Sequence, residues 1–339
     1  MSVSKGILIT GPIFNTPSGP SGQGGKLYTK LKQEGYTVYK RSFYKNRLLR
    51  LLDTISFLLF KPHKYQLVMV QMFLLRAFIM EDIILRISLF LGKKYIAVIR
   101  GGAFVEFYEK NEKWCNKVLS KIHLITTPSL FITHFLQQKG YRVMHIPNFI
   151  DLTYFPFQWQ NTQQKKLLWV RSFQDIYKPE LAIRVMRLLV NRYPDITLTM
   201  VGPDQGKLEY CKQLITALEL DKHIIITGVI PNNELNKVYS SHQIFITTTS
   251  YESFGVALME AAASGIPMVS TNVGEIPHIW TDKEDMLIVK DNDVEAFSDA
   301  IISLIENQEL RQKLSKNARK KAEQYTWESI KPKWESILE

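Results

Sequence analysis

The sequence is poor in cysteine and has no long apolar run, and each absence excludes a class of protein. Its two cysteines, Cys115 and Cys211, stand far apart among 339 residues and outside any CxxC or cysteine–histidine spacing. This pattern predicts neither a disulfide framework nor a zinc site, and it favours a reducing compartment. The longest apolar stretches, 48–60 and 67–80, are interrupted by polar residues and fall short of the roughly 20 residues that cross a bilayer. We therefore expect a cytoplasmic protein without a transmembrane helix.

Two well-known phosphate-binding motifs are also missing from the glycine-rich segment 11–25. A P-loop would need glycine where Pro20 stands and serine or threonine where Leu27 stands, and the dinucleotide-binding fingerprint would need glycine at the second of these positions. The segment does retain Gly24-Gly25 at the start of a predicted helix, where the missing side chains let a ligand approach the backbone closely. A merely flexible loop is the alternative interpretation.

Acidic residues are scarce in the first half of the chain. The net charge is +11, but residues 1–150 hold 22 Lys and Arg against 7 Asp and Glu, whereas the remainder holds 21 against 25. A basic first half indicates an anionic partner, for which nucleic acid and anionic lipid headgroups are both suited; general solubility is the alternative. Because the basic residues are dispersed and no nucleic-acid-binding motif is present, we expect no nucleic acid partner.

The segment 41–60 is the most strongly patterned part of this basic half. It combines Arg41, Lys45, Arg47 and Arg50 with leucines and isoleucine at helical spacing. This pattern is typical of a basic amphipathic helix that lies on an anionic membrane surface. A core helix with a basic outer face is an equally good interpretation.

Strands and helices alternate through both halves of the chain. In the first half we predict strands at 7–10, 36–39, 67–70, 95–99, 123–126 and 143–146; in the second, at 167–170, 196–201, 224–227, 244–249 and 268–270. Residues 151–164 lack periodicity and are predicted as a linker. This order predicts an α/β protein with two doubly wound domains, at residues 1–155 and 165–325.

The segment 244–265 combines a predicted strand, a turn and a helix. Glu252 lies in the turn, and Glu260 lies about two helical turns further along on a similar face. The backbone N–H groups of Ser253 to Val256 are expected at the helix N-terminus, which attracts phosphate. The two carboxylates would then hold hydroxyl groups on either side of a phosphate, although a pair of exposed surface glutamates is the alternative.

Other candidate residues follow the ends of predicted strands. Arg171 follows the strand 167–170, Gly202 follows 196–201, and Gly228-Val229 follows 224–227. Lys178 stands just before a predicted helix. In doubly wound sheets ligands bind beyond the carboxyl ends of the strands, and a cleft between two such domains is the usual site. Arg171 and Lys178 near a helix N-terminus are therefore predicted to clamp a pyrophosphate.

Taken together, these motifs resemble the retaining glycosyltransferases of the "group 1" type with the GT-B fold, relatives of bacterial mannosyltransferases and glycogen synthases. The first domain matches through Gly24-Gly25 and residues 147–151. The resemblance is strongest from Arg171 to Trp327 and is carried there by Arg171 with Lys178, residues 201–204, residues 227–229, the pair Glu252 and Glu260, residues 265–267, residues 272–276 and residues 325–327.

The resemblance implies two Rossmann-like domains facing across a cleft, with a C-terminal helix at 326–339 that packs back on the first domain. It implies a nucleotide-sugar donor held mainly by the second domain. Arg171 and Lys178 would bind the diphosphate, Glu252 the hydroxyls of the donor sugar and Glu260 the ribose. The remaining donor-binding set would be Gly24, Gly25, Gly202, Gly228, Val229, Ser253, Phe254, Gly255 and Val256.

The resemblance further implies that neither a metal nor another cofactor is needed, because the two cations neutralise the diphosphate and the departing phosphate itself deprotonates the acceptor. Three positions depart from the family pattern. Arg100, followed by two glycines, stands where many members carry a histidine, which makes it a catalytic candidate; Pro179 follows Lys178 where glycine is common; and Gly274-Glu275 replaces a frequent glycine pair.

We therefore expect a retaining, metal-independent glycosyltransferase in bacterial cell-surface polysaccharide biosynthesis. Its acceptor would be a glycan or a lipid-linked glycan, and its place the cytosolic face of the membrane, to which the basic first domain would attach. The alternative is a non-catalytic GT-B-like protein that binds a glycan, a lipid or a partner enzyme. Arg100 and Pro179 motivate that alternative.

Overall fold

The protein divides into two compact units, Met1–Asn148 and Phe149–Glu339. The computed structural model describes residues 6–13, 15–16, 19–20, 22–41, 44, 46–72, 76–101, 104–159 and 164–338. No helix within these ranges is long and apolar enough to cross a membrane.

The first unit contains eight described strands and six helices. The strands are β1 (Ile7–Thr10), β2 (Asn15–Thr16), β3 (Gly19–Pro20), β4 (Val38–Arg41), β5 (Leu67–Met72), β6 (Lys94–Ile99), β7 (Leu124–Thr127) and β8 (Val143–His145). The helices are α1 (Gly22–Gln33), α2 (Arg47–Phe60), α3 (Arg76–Phe90), α4 (Phe104–Lys110), α5 (Glu112–Leu119) and α6 (Leu130–Gln138).

Six of these strands form a parallel sheet in the order β4-β1-β5-β6-β7-β8. The chain moves from β1 to its neighbour β4 and then back past β1 to β5. Because crossovers between parallel strands are right-handed, α1 lies on one face of the sheet and α2 and α3 on the other. β5 is buried along its whole length, as expected for a strand with helices on both faces. The reversal of direction between β1 and β5 is where doubly wound sheets bind ligands.

The second unit contains six strands and eight helices among its described residues. The strands are β9 (Lys166–Val170), β10 (Thr197–Val201), β11 (Ile224–Gly228), β12 (Ile244–Thr247), β13 (Met268–Thr271) and β14 (Leu287–Val289). The helices are α7 (Pro179–Arg192), α8 (Leu208–Ala217), α9 (Asn232–Ser240), α10 (Val256–Ser264), α11 (Ile276–Ile279), α12 (Val294–Glu306), α13 (Gln308–Glu323) and α14 (Trp327–Leu338).

These six strands also form a parallel sheet, in the order β11-β10-β9-β12-β13-β14. The chain runs outward from β9 through β10 to β11, returns to the other side of β9 with β12, and continues to β14. The carboxyl ends of β9 and β12 therefore flank the point where the strand order reverses. Any ligand site of this sheet is expected beside them.

The prediction of two doubly wound α/β sheets is confirmed, and most predicted elements are present with small shifts at their ends. α1 begins at Gly22, so Gly24 and Gly25 lie within its first turn rather than before it. β12 ends at Thr247, two residues earlier than predicted. The helix predicted over 41–60 begins at Arg47, and residues 42–43 and 45 lie outside the described ranges. β14, α12 and α13 were not predicted.

Candidate functional site

Two threonines just beyond β12 hold the segment that follows β9 in place. The hydroxyl of Thr248 lies 3.0 Å from the carbonyl oxygens of both Tyr177 and Lys178, to either of which it can donate. The hydroxyl of Thr249 donates to the carbonyl of Ile176 at 3.0 Å. Both side chains are fully buried, where an unmade hydrogen bond would be costly. Residues 176–178 are therefore fixed across the carboxyl end of β12.

Arg171 and Glu252 meet at the point where β9 and β12 end. The Nη2 of Arg171 lies 2.6 Å from Oε2 of Glu252, and the two side chains are only 10% and 11% exposed. The other carboxylate oxygen, Oε1, accepts the backbone N–H groups of Ser253 at 3.1 Å and Phe254 at 3.3 Å. The structure thus brings together two of the predicted site residues that lie 81 positions apart in the sequence.

This arrangement changes the predicted role of the turn. The N–H groups of Ser253 and Phe254 were expected to be open for a phosphate, but they bind the carboxylate of Glu252 instead. α10 begins after Gly255, whose φ of +82° places it in the left-handed region. A Cβ atom there would lie 2.9 Å from Cδ1 of Leu258. The backbone N–H groups that lack an acceptor within the helix are those of the first turn of α10, which starts at Val256.

Arg171 remains a cation with unused hydrogen-bonding capacity. Burial acts to lower the pKa of Arg171, but the charge of Glu252 and its hydrogen bond, together with smaller electrostatic effects of Tyr177 and Tyr239, outweigh burial and leave the pKa raised. Its guanidinium lies over the ring of Tyr177, 5.4 Å from the centroid. Its buried Nε has no hydrogen-bond partner among the described residues.

Lys178, the other predicted phosphate ligand, has an acidic partner of its own. Its Nζ lies 2.7 Å from Oδ2 and 2.9 Å from Oδ1 of Asp291, and 3.0 Å from Oδ1 of Asn292. Asp291 follows β14, near the far edge of the sheet. The backbone of Lys178 is left-handed, with φ +42° and ψ +57°, a strained conformation for a residue with a side chain. The structure therefore gives Arg171 and Lys178 different acidic partners.

Glu260 lies on α10 and is held from the neighbouring helix α9. The hydroxyl of Tyr239 lies 3.1 Å from Oε2 of Glu260. Tyr239 is fully buried, and burial together with the charge of Glu260 raises its pKa well above the ordinary value. The phenol thus stays neutral and acts as a fixed donor to the carboxylate.

The glycines at the ends of β10 and β11 have a packing role. The N–H of Gly202 donates to the carbonyl of Gly228 at 2.9 Å, and the N–H of Arg171 donates to the carbonyl of Val201 at 3.0 Å. A Cβ atom at position 202 would lie only 1.8 Å from the carbonyl oxygen of Arg171. Val229 is exposed beyond the end of β11.

In the first unit, the remaining predicted residues gather at the carboxyl edge of its own sheet. Gly24 and Gly25 are buried in the first turn of α1, and a Cβ atom on Gly24 would lie 3.0 Å from Cγ of Gln71. The Nε of Arg100 donates to Oε1 of Gln71 at 2.6 Å, and its Nη1 donates to Oδ1 of Asn148. Burial lowers the pKa of Arg100 to about 9, so it is still a cation at neutral pH. Residue 102, part of the predicted motif, lies outside the described residues.

Several residues in contact with the predicted site residues were not themselves predicted. Asp291 could have been found, because it follows a short β-branched run in the way that Arg171 follows β9. Gln71 is a polar residue in an otherwise apolar strand, which is also a readable signal. Asn148 was named only as part of the motif 147–151, and nothing in the sequence pattern singles out Tyr177 or Tyr239.

Histidine, cysteine, aspartate and glutamate side chains do not cluster in a way that suits a metal ion: no group of three or more is found in the described parts of the chain.

A family model described as "Glycosyl transferases group 1" matches residues 153–321. This range contains Arg171, Lys178, Glu252 and Glu260 together with the strands that position them. Through these residues the chain belongs to the group 1 glycosyltransferases. The resemblance to the group 1 glycosyltransferases is confirmed, whereas the retaining mechanism stays a prediction.

Curated relatives match this chain over part of their length. The D-inositol 3-phosphate glycosyltransferase of Corynebacterium diphtheriae is 29% identical over 178 residues, which are 51% of this chain and 42% of that protein. The putative glycosyltransferase YtcC of Bacillus subtilis is 27% identical over 233 residues, 61% of this chain and 57% of the other. The chain thus spans about half the length of these curated relatives.

Solved structures show the same architecture over nearly the whole chain. HepE of Anabaena, crystallised in complex with UDP and glucose, superposes with a TM-score of 0.78 at 15% identity, covering 98% of this chain and 99% of that one. At this identity the likeness shows the fold, which is the GT-B fold predicted from the sequence.

The ion pair of Arg171 and Glu252 predicts a large stability effect. In Glu252→Gln the buried guanidinium would lose its counter-charge, so we expect the free energy of unfolding to fall by about 3 kcal/mol. The double variant Arg171→Met/Glu252→Gln should recover part of this loss, because the uncompensated cation is gone. Urea denaturation followed by circular dichroism measures all three proteins.

The exposed pair of Lys110 and Glu106, whose side chains are 70% and 67% exposed, provides the matched control. Glu106→Gln should change stability little, since exposed ion pairs contribute little. Equal and small effects of the two Glu→Gln changes would contradict the structural importance assigned to the buried pair.

Proposed function

We propose that this chain is a retaining glycosyltransferase that moves a sugar from a nucleoside-diphosphate sugar to an acceptor. The observation that carries the proposal is the pairing of Arg171 with Glu252, at the strand reversal of a group 1 domain and beside the N-terminus of α10. A cation, an oriented carboxylate and open backbone N–H groups in one place suit a sugar diphosphate. HepE, whose fold is shared, was crystallised with UDP and glucose.

In this proposal the second unit stabilises the negative charge that builds on the departing diphosphate. The helix dipole and the N–H groups at the start of α10 act on one phosphate, and Arg171 acts from the end of β9. Fixed donors and charges stabilise a transition state more than mobile ones do, because they need no rearrangement as the charge develops. Arg171 meets this condition through its burial and its bond to Glu252.

Lys178 joins the diphosphate by exchanging partners. In the structure its ammonium is held by Asp291, and the pair is more exposed than that of Arg171 and Glu252, at 17% and 30%. A phosphate would therefore replace a carboxylate as the counter-ion of Lys178. The binding free energy would include the cost of breaking the existing pair.

The two glutamates would hold the hydroxyl groups of the donor. Glu252 already accepts three hydrogen bonds, and a carboxylate has about four acceptor positions, which leaves it room for one sugar hydroxyl. Glu260 would accept the ribose hydroxyls, oriented by the hydroxyl of Tyr239.

We further propose that the reaction needs no protein nucleophile and no metal. The departing phosphate would take the proton of the acceptor hydroxyl on the same face, and Arg171 and Lys178 would supply the positive charge that a metal supplies elsewhere. Arg100, held by two neutral amides in the first unit, would bind an anionic or hydroxyl group of the substrates. A glycan or a lipid-linked glycan is the acceptor class we favour.

A panel of nucleotide sugars tests this function. We expect slow hydrolysis, or transfer to added glycans, with at least one donor, with the anomeric configuration kept in the product and with no loss of rate in EDTA. Arg171→Ala should lower the rate by about 100-fold or more, because one fixed donor to the leaving group is removed. Proton NMR of the product reads the anomer, and a thermal melt checks that the variant is folded.

If no nucleotide sugar binds to the folded wild-type protein, the proposed function is wrong and the non-catalytic alternative replaces it. Inversion of the anomer, or full loss of rate in EDTA, would overturn the retaining or the metal-free part of the proposal separately.

If Lys178 leaves Asp291 to bind the phosphate, removing the carboxylate of Asp291 should increase the affinity for the donor. Asp291→Asn should tighten the binding of the nucleoside diphosphate by about threefold to tenfold, since a competing carboxylate is removed. Lys178→Met should weaken binding by about tenfold or more. Isothermal titration calorimetry measures both. When Lys178→Met is already present, adding Asp291→Asn should leave the affinity for the nucleoside diphosphate almost unchanged. An equal gain in affinity in that double variant would mean that the gain comes from the overall charge and not from Lys178.

If Glu260 binds the ribose hydroxyls, its removal should abolish the preference for a ligand that carries those hydroxyls. Wild-type protein should bind the nucleoside diphosphate about 10 to 100 times more tightly than its dideoxy analogue, because hydrogen bonds to a carboxylate are strong. Glu260→Ala should bind the two ligands alike, and Tyr239→Phe should narrow the difference less. Competition binding with both ligands measures this. If Glu260→Ala still preferred the nucleoside diphosphate over its dideoxy analogue by the wild-type factor, residues other than Glu260 would bind the ribose.

A further inference from the structure

α2 is apolar on both its inner and its outer face. Phe57 and Leu58 point into the core of the first unit. On the other side, Leu48 is 66% exposed and Phe60 78% exposed. The further exposed apolar residues of this helix are Leu49, Leu52 and Leu59. A surface helix normally places polar residues opposite its buried stripe, so a second apolar face needs a partner.

The neighbouring helix α3 extends this surface. Ile79 is exposed near its start, and Phe90 is 87% exposed at its end. The two helices lie on the same face of the sheet and run in the same direction. Their ends are tied together, because Nζ of Lys93, just after α3, donates to the carbonyl of Pro62, just after α2, at 2.7 Å. Phe60 and Phe90 therefore belong to one surface, which we call the α2–α3 face (Leu48, Leu49, Leu52, Leu59, Phe60, Ile79, Leu89 and Phe90).

The charges around the α2–α3 face are almost all positive. Residues 47–64 and 76–94 contain eight Lys and Arg but three Asp and Glu. None of the three acidic residues, Asp53, Glu81 and Asp82, is exposed. Arg47, Lys61, Lys64 and Lys94 are exposed at its borders. A second copy of the chain, docked face to face, would bring these like charges together.

We propose that the α2–α3 face docks the protein onto an anionic lipid bilayer. Exposed leucines and phenylalanines would enter the boundary between headgroups and acyl chains, while the bordering lysines and arginines bind anionic headgroups. Neither interaction needs the transfer reaction. The sequence pattern alone left a core helix with a basic outer face as an equal alternative; the exposed leucines on the outer face favour the membrane interpretation.

This docking would also orient the first unit. α2 and α3 start at the carboxyl edge of its sheet, the edge that carries Gly24 and Arg100. Leu48 and Leu49 lie in the first turn of α2 and so close to that edge. An acceptor sugar on a membrane lipid would therefore be offered beside this edge, a consequence that rests on the proposed function.

Vesicle sedimentation tests the proposal with the full chain. Wild-type protein should sediment with vesicles of phosphatidylcholine and phosphatidylglycerol, and more weakly with phosphatidylcholine alone. Leu48→Gln/Leu52→Gln/Phe60→Gln should lower the partition coefficient on the order of 100-fold, because three inserting side chains become polar. Arg47→Gln/Lys61→Gln/Lys64→Gln should remove most of the preference for the anionic vesicles, as should high salt.

The matched control changes three exposed apolar residues of the second unit, Tyr154→Gln/Leu188→Gln/Ile225→Gln, and should bind vesicles like the wild type. The Leu48, Arg47 and Tyr154 triple variants should all hydrolyse nucleotide sugars at the same rate as the wild type. A failure of docking is thereby distinguished from a failure of the proposed function. Wild-type binding by the Leu48 triple variant would overturn the proposal. The proposal would also be wrong if neither protein bound vesicles and analytical ultracentrifugation showed a dimer for the wild type but a monomer for the Leu48 triple variant.

Discussion

A guanidinium and a carboxylate, each about nine-tenths withdrawn from solvent, face each other where β9 and β12 end. Such a pair is costly to bury unless further hydrogen bonds complete it. Here two backbone N–H groups bind the carboxylate of Glu252, so the pair, the turn before α10 and the end of β9 are fixed as one piece. The positions of Arg171 and of the turn before α10 depend on this contact. Through it, Glu252 would serve both the fold and the proposed reaction.

The second cationic pair is built differently. Lys178 and Asp291 are more exposed than Arg171 and Glu252, and the backbone of Lys178 is held in a left-handed conformation by the threonines beyond β12. A pair that is more open to solvent is weaker and more easily exchanged than a buried one. One cation of this site is thus permanently paired with its acid, and the other is available to a stronger anion.

The sequence placed the candidate residues of the second unit at the ends of its strands better than it predicted what they touch. Hydrophobic periodicity and the positions of glycine located the strands, and the polar residues after those strands were candidates for that reason. The contact of Arg171 with Glu252 depends on β9 and β12 being neighbours, which local pattern does not reveal. Lys178 reaches Asp291 because its segment lies across the end of β12, a consequence of hydrogen bonds from Thr248. In the first unit, the pattern of α2 was equally consistent with two surroundings, and only the packed structure distinguishes its inner from its outer leucines.

Gly202 has a consequence for which substitutions this site can tolerate. The ends of β9, β10 and β11 are joined by main-chain hydrogen bonds, from Arg171 to Val201 and from Gly202 to Gly228. No side chain fits between them, because a Cβ atom at 202 would overlap the carbonyl of Arg171. The floor of the site is therefore peptide backbone, whose shape does not depend on the identity of neighbouring side chains. Substitutions around this floor would leave its shape unchanged, whereas any side chain at position 202 would force β9 and β10 apart.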